Sequence, residues 1–181
     1  MMNRIRNVLF LVLIVFSVLS CAHTANTTAE QVAANTEIEA LEYQPGTWVS
    51  GPKMGNRYEG EYHLRGNLSG RNISFYQLVF LKSREIIKGP AFYKKSFDRD
   101  GKELPMVVIK RQAWPYETFT EVIGVRLTRE DLTQASDEGL KVNIVGRGDE
   151  PVVIVPPYYV TGFLMKVDAI TQEPRRPRRR T

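Results

Sequence analysis

Ile73–Leu81 reads ISFYQLVFL, and its two parities decide the fold. Ile73, Phe75, Val79 and Leu81 fall on one side of an extended chain, and Tyr76, Leu78 and Phe80 on the other. Side chains of a strand alternate between faces. Both faces of this stretch are therefore apolar, the pattern of a central strand covered above and below. Leu104–Ile109 (LPMVVI) is rich in β-branched residues and reads the same way. Further strands show one wetter face. Phe119, Ile123, Val125 and Leu127 alternate with Thr120, Val122 and Arg126, and Leu140, Val142 and Ile144 alternate with Lys141 and Asn143. Gly146-Arg147-Gly148-Asp149 then predicts a hairpin loop into Val152–Val155.

Two short helices interrupt this pattern. Thr128 is placed to cap a helix with Asp131 three residues on, Leu127 and Leu132 flank it as a hydrophobic staple, and Gly139 suits its end. A second helix is expected after Pro156-Pro157, where Val160, Phe163, Leu164 and Val167 form one helical face. Gly162 inside that helix costs about 1 kcal/mol relative to Ala, and Tyr159-Val160-Thr161 favours strand, so helix and strand both stay open here. The whole predicts a mainly β chain: a single antiparallel β-sheet or sandwich domain with one or two short helices, with α+β as the neighbouring class.

The N-terminus carries a different message. Arg4 and Arg6 precede an uncharged run, Val8–Phe16 (VLFLVLIVF), which polar residues follow at once. A membrane-spanning helix needs about 20 apolar residues, so this shorter run predicts a cleavable signal peptide over residues 1–20. Val18-Leu19-Ser20-Cys21 resembles the lipobox of bacterial lipoproteins: an aliphatic residue, a tolerant position, a small residue, then cysteine. The resemblance covers the first 21 residues only. It implies cleavage before Cys21, a diacylglycerol thioether and an N-acyl chain on that cysteine, and a protein held on a membrane outside the cytoplasm. Ala22, where an inner-membrane retention signal often places Asp, implies the outer membrane, facing the periplasm. Cys21 is the one cysteine of the chain. Lipidation accounts for an odd thiol in an exported protein, and two or three acyl chains make an effectively permanent anchor.

Residues 21–44, rich in Ala, Thr, Asn and Glu, read as the lipidated cysteine and a flexible tether. Residues 45–170 make one domain, long enough for a real core. Residues 171–181 form an extended arginine-rich tail, disordered because like charges repel and Pro174 and Pro177 block a helix. The net charge of +5 belongs to the two ends: Arg4 and Arg6 leave with the signal, and Arg175, Arg176, Arg178, Arg179 and Arg180 lie in the tail. What remains is close to neutral, so the high pI is no argument for a nucleic-acid-binding face. The tail arginines are candidate contacts to anionic head groups or acidic envelope polymers, each worth about 1 kcal/mol near such a surface.

Candidate chemistry is thin. His63 is the only histidine after His23, and no cysteine follows Cys21. The common zinc sets and Cys-His arrangements cannot be assembled in the body, and no metal or cofactor is expected. Glu61, His63 and Arg65 share one side of a strand and read as a solvated face. Asp98-Arg99-Asp100-Gly101 starts like a calcium loop but has Lys102 and Ile109 where acidic ligands are needed, so it reads as a turn. Glu59 with Glu61, and Glu117 with Glu121, are carboxylate pairs on paper. Trp48, Trp114 and Tyr116 are the aromatic candidates for seating a partner or a sugar, with Ala113-Trp114-Pro115-Tyr116 read as an exposed loop. The expectation is a non-catalytic envelope lipoprotein, a membrane-tethered binding or assembly module for an envelope protein or anionic envelope polymer. The alternative is a carboxylate-dependent hydrolase of wall polysaccharide or lipid. A third reading makes the body a spacer for the tail.

Overall fold

A computed structural model of the protein describes residues 27–41, 44–114 and 118–172. Cys21, Tyr116, Glu117 and the tail arginines Arg175, Arg176, Arg178, Arg179 and Arg180 lie outside the described residues. In chain order the elements are helix α1 (Ala29–Ala34), β1 (Glu37–Leu41), β2 (Gln44–Ser50), β3 (Met54–Asn56), β4 (Gly60–Ser69), β5 (Asn72–Glu85), β6 (Lys95–Phe97), β7 (Glu103–Leu104), β8 (Met106–Ala113), β9 (Thr118–Leu127), α2 (Arg129–Glu138), β10 (Leu140–Val145), β11 (Val152–Val155) and α3 (Pro157–Gln172). The larger antiparallel sheet runs β1-β2-β4-β5-β9-β8, with β3 beside one end of β4, and the smaller runs β11-β10-β6-β7. The protein is mainly β, two antiparallel sheets with short helices, in a sandwich-like arrangement without a closed barrel.

β5 is the central strand that its two apolar parities predict. It pairs with β4 and β9 along most of its length, and the register Leu64↔Leu78↔Val125 puts these three side chains on one face. That face, with Tyr76, Phe80 and Ile123, is buried. It joins one core with Val142, Ile144, Val153 and Val155 of the smaller sheet and with Val160, Phe163, Leu164 and Val167 of α3. Ring contacts tie the layers: Tyr76 meets Phe163 with centroids 6.3 Å apart, and Phe80 meets Tyr93 at 5.8 Å. The smaller sheet keeps Val152 and Ile154 outward, the alternation of a half-solvated sheet. α2 begins at the Thr128 capping box with Asp131 and stops at Gly139. The stretch after Pro156 is helical, as the spacing of Val160, Phe163, Leu164 and Val167 predicts.

Three expectations change. The stretch expected as a tether to residue 44 is folded from Ala29 onward. Thr28 caps α1 by a reciprocal pair of hydrogen bonds with Gln31, and Val32 is fully buried. The folded body therefore starts some seventeen residues earlier than Pro45, because one apolar side chain in a polar stretch suffices to dock a capped turn (about 1 kcal/mol for such a cap). At its other end the body reaches Gln172, the last residue of α3. Gly162 explains the docking: a methyl group there would overlap the Ala29 carbonyl and lie 2.7 Å from the Val32 Cβ. The helix-weakening glycine is the crossing point of α1 on α3. Finally, Leu104–Ile109 is no central strand. Pro105 splits it between the two sheets, and β8 is an edge strand with Val107 and Val108 exposed.

Gly162→Val should undock α1. The expected loss is about 1–3 kcal/mol in denaturant unfolding, with new proteolytic cleavage between residues 28 and 41; a variant as stable and as protected as the wild type would refute the crossing.

Candidate functional site

On the face of the larger sheet turned away from the core, the register builds three cross-strand rows: Glu61↔Leu81↔Val122, His63↔Val79↔Gly124 and Arg65↔Gln77↔Arg126. Among the described residues, neither the smaller sheet nor a helix packs on this face. It is not flat and solvated as the Glu61-His63-Arg65 alternation suggests. β1 and β8, at opposite ends of the sheet order, both contribute to one cavity of about 410 Å³, so the sheet curls toward itself. Val79, Leu81, Val122 and Ile109, with Ala40 and Leu41, form an apolar floor. Glu39, Lys53, Glu61, His63, Arg65 and Lys110 supply the polar groups. The volume lies in the range of small-molecule sites.

A ladder of alternating cations and aromatics stiffens one end. The Arg65 guanidinium stacks over the Trp48 ring at 4.2 Å, Trp48 meets Phe75 edge-on at 5.5 Å, and Arg126 stacks over Phe75 at 4.4 Å. Arg65 is only 3 % exposed. Its Nε and Nη2 donate to Gln77 Oε1 at 3.1 and 2.7 Å, and Nη2 also donates to Gln44 Oε1. Burial lowers its pKa to about 10, opposed by the nearby Glu39, so it stays charged at neutral pH. Gln77 lies flat on Gly124, where a Cβ would come within 3.0 Å of the amide carbon.

Trp48, expected as an exposed contact residue, is therefore a buried part of the wall, 2 % exposed in β2 with its indole N–H donating to the Gln44 carbonyl at 3.2 Å. Trp114 is 48 % exposed, as an aromatic ending β8 should be. It lies at the strand end and does not line the cavity. Tyr116 falls outside the described residues. Tyr159 is a core residue in α3 whose hydroxyl accepts from the Leu64 N–H and donates to the Pro52 carbonyl.

His63 is the group in the cavity that sequence reasoning undervalued. Desolvation first, then the positive Arg65 and Lys53, hold its pKa down to about 3. The ring is neutral at any ordinary pH, and among the described residues it makes no hydrogen bond. Lys53, by contrast, pairs with Glu61 at 3.3 Å. Beside His63 the cavity continues into a smaller space of about 180 Å³ lined by Glu37, Glu39, Ser50 and Lys53. Ser50 Oγ is buried there and has no hydrogen-bond partner among the described residues. The unsatisfied Ser50 Oγ and the partly exposed His63 ring thus face the same end of a pocket whose other end is apolar, an arrangement that suits a ligand with an apolar body and a hydrogen-bonding end.

The carboxylates suggested as pairs go separate ways. Glu59 accepts from Asn56 Nδ2 at 2.6 Å in the β3–β4 turn, and Glu61 pairs with Lys53. Glu121 is 2 % exposed in the core-side face, where Arg111 Nε at 2.9 Å and the Phe92 N–H at 3.0 Å satisfy its two oxygens. No cluster of three or more metal-ligating side chains occurs among the described residues. The Asp98–Gly101 segment is a turn, its first carboxylate accepting from the N–H of Asp100 and Lys102. The cleft between that turn and α2 holds only about 60 Å³.

His63 makes stability depend on pH. The unfolded chain takes up a proton as pH falls below about 6.5, whereas the folded ring stays neutral to about 3. The contribution is complete above pH 6.5 and is lost as pH falls through that window. Wild type should lose more stability than His63→Gln between pH 6.5 and 5, read by urea unfolding; parallel losses would show that the ring titrates normally.

Comparison with known protein families, with curated proteins and with solved structures finds no match to this chain.

Proposed function

We propose that the protein is a non-catalytic lipoprotein of the bacterial envelope, tethered through Cys21 to the periplasmic face of the outer membrane and binding a ligand in its concave pocket. One observation carries the binding role: the uncovered face of the central sheet has an apolar floor and a polar end, with His63 and Ser50 Oγ left without hydrogen-bond partners among the described residues. Leaving Leu81 and Val122 partly open on this face costs roughly 25 cal/mol per Å² of apolar surface, which a bound apolar body would recover. The ligand this suits is amphipathic, with an uncharged or anionic head at His63, Ser50 and Lys53 and an apolar body over the floor. The arginines of residues 175–180 are proposed to hold the tail against anionic head groups or an acidic envelope polymer.

The presence of Glu39 and Glu61 in the same pocket favours one second reading, a carboxylate-dependent hydrolase of wall polysaccharide or lipid. Turnover abolished by both Glu39→Gln and Glu61→Gln would establish it over simple binding.

Two measurements test the proposal. The neutral dye N-phenyl-1-naphthylamine should brighten with the wild type and not with Val122→Trp, which fills the floor from a side chain already facing open space; equal fluorescence from the two proteins would remove the pocket as a site. In cells, labelled palmitate should enter the wild type only, and Cys21→Ala should move to the soluble fraction. Retention of Cys21→Ala in the membrane would end the tether reading.

A further inference from the structure

We propose that the groove along the free edge of β8 docks an extended acidic segment of a partner protein, which adds to the larger sheet as a further strand. The groove shares no lining residue with the concave pocket, although β8 borders both, with Ile109 and Lys110 turned to the pocket.

β8 ends the sheet order, and no described strand pairs with its outer edge. An edge of this kind presents unpaired N–H and C=O groups to any extended chain of fitting character. On the core side of β8 the edge opens into a groove of about 540 Å³, lined by Phe92, Tyr93, Lys94, Met106, Val108, Arg111 and Arg147. Among the described residues, three cations and no acid line it. Phe92 and Val108 in the groove, and Val107 beside it, are exposed, so an incoming strand would find apolar side chains between the charges.

The groove is built rather than incidental. Buried Glu121 takes Arg111 Nε on one oxygen and the Phe92 N–H on the other, and Arg111 lies over the Phe92 ring at 5.1 Å. Phe92 is held at φ 47°, the one non-glycine residue with positive φ among those described, a conformation that costs free energy and persists only where its surroundings impose it. Glu121 thus neutralises Arg111 while aiming it. Lys94 and Arg147 are exposed, and their side chains have no ion pair or hydrogen bond among the described residues. They are the uncompensated charge of the groove.

The alternative role of charge on an edge strand is to prevent aggregation, and the bulge between Val108 and Lys110 contributes to that. The two roles are compatible. A second copy docking β8 against β8 would set cations against cations, whereas an acidic strand would find complementary charge. The edge therefore excludes its own kind and admits the opposite charge.

The test uses the full chain in detergent and a fluorescein-labelled peptide of alternating glutamate and valine, followed by anisotropy. Binding is expected at low salt, weakened by salt, and weakened about tenfold or more by Lys94→Glu with Arg147→Glu. Both residues are exposed, so the double variant keeps its fold. The same peptide N-methylated on alternate residues, which cannot pair with a strand edge, should lose binding to a similar extent. No binding of the parent peptide overturns the proposal, as does equal binding of the N-methylated form or of a lysine-valine peptide. Two further outcomes overturn it in favour of other occupants. One is self-association of the protein in sedimentation that the double variant abolishes. The other is cation-dependent capture of Cys21→Ala by phosphatidylglycerol vesicles in place of peptide.

Discussion

Burial of β5 on both faces is the constraint on which the molecule depends. On the core side Tyr76, Leu78 and Phe80 require the smaller sheet and α3 as a lid. On the other side Gln77, Val79 and Ser83 are also buried although no layer of the described residues lies over them. The sheet satisfies that side by curling, so that β1 and β8 approach over the strand they do not touch. A flat sheet would leave this face wet, and twist with curvature is the lowest-cost alternative to a second layer. The pocket is thus a by-product of covering a doubly apolar strand with one layer too few.

The polar residues on that face fit the same account. Arg65 is tolerated in a nearly dry position because Gln77 and Gln44 accept hydrogen bonds from its N–H groups and the Trp48 ring faces its plane. Removing one of these partners leaves a buried charge short of compensation, which is costly. The ladder of Arg65, Trp48, Phe75 and Arg126 makes that end rigid, while the end at His63 and Ser50 keeps hydrogen-bonding capacity in reserve. Rigidity at one end and unspent polarity at the other is the division expected of a preformed site.

Much of the architecture was legible from residue pattern. The doubly apolar Ile73–Leu81 gave the central strand, the Thr128–Asp131 box and Gly139 bounded α2, and the 3-4 spacing after Pro157 prevailed over the strand propensity of Tyr159-Val160-Thr161. What pattern missed was tertiary in origin. α1 rests on the single side chain Val32 meeting Gly162 more than a hundred residues away, and no local signal announces such a pair. Leu104–Ile109 has the composition of a buried strand, yet composition does not reveal which strand ends a sheet. Trp48 was a candidate contact aromatic by residue type, and only its partners Arg65 and Phe75 show it to be wall. The Glu61-His63-Arg65 face was identified correctly as a face; the curvature that turns it into a cavity is a property of the whole sheet.

The docking of α1 on α3 also limits reach. With the body beginning at about Thr28, an anchor at Cys21, if the proposed acylation holds, would stand only some six residues away, and at roughly 3.5 Å per residue six residues span at most about 20 Å. A leash running to residue 44 would have allowed about 80 Å. Under the proposed acylation the domain is confined to a layer beside the bilayer, unable to sample the width of the compartment. On that proposal, a ligand of the pocket would have to come to the membrane surface to meet it.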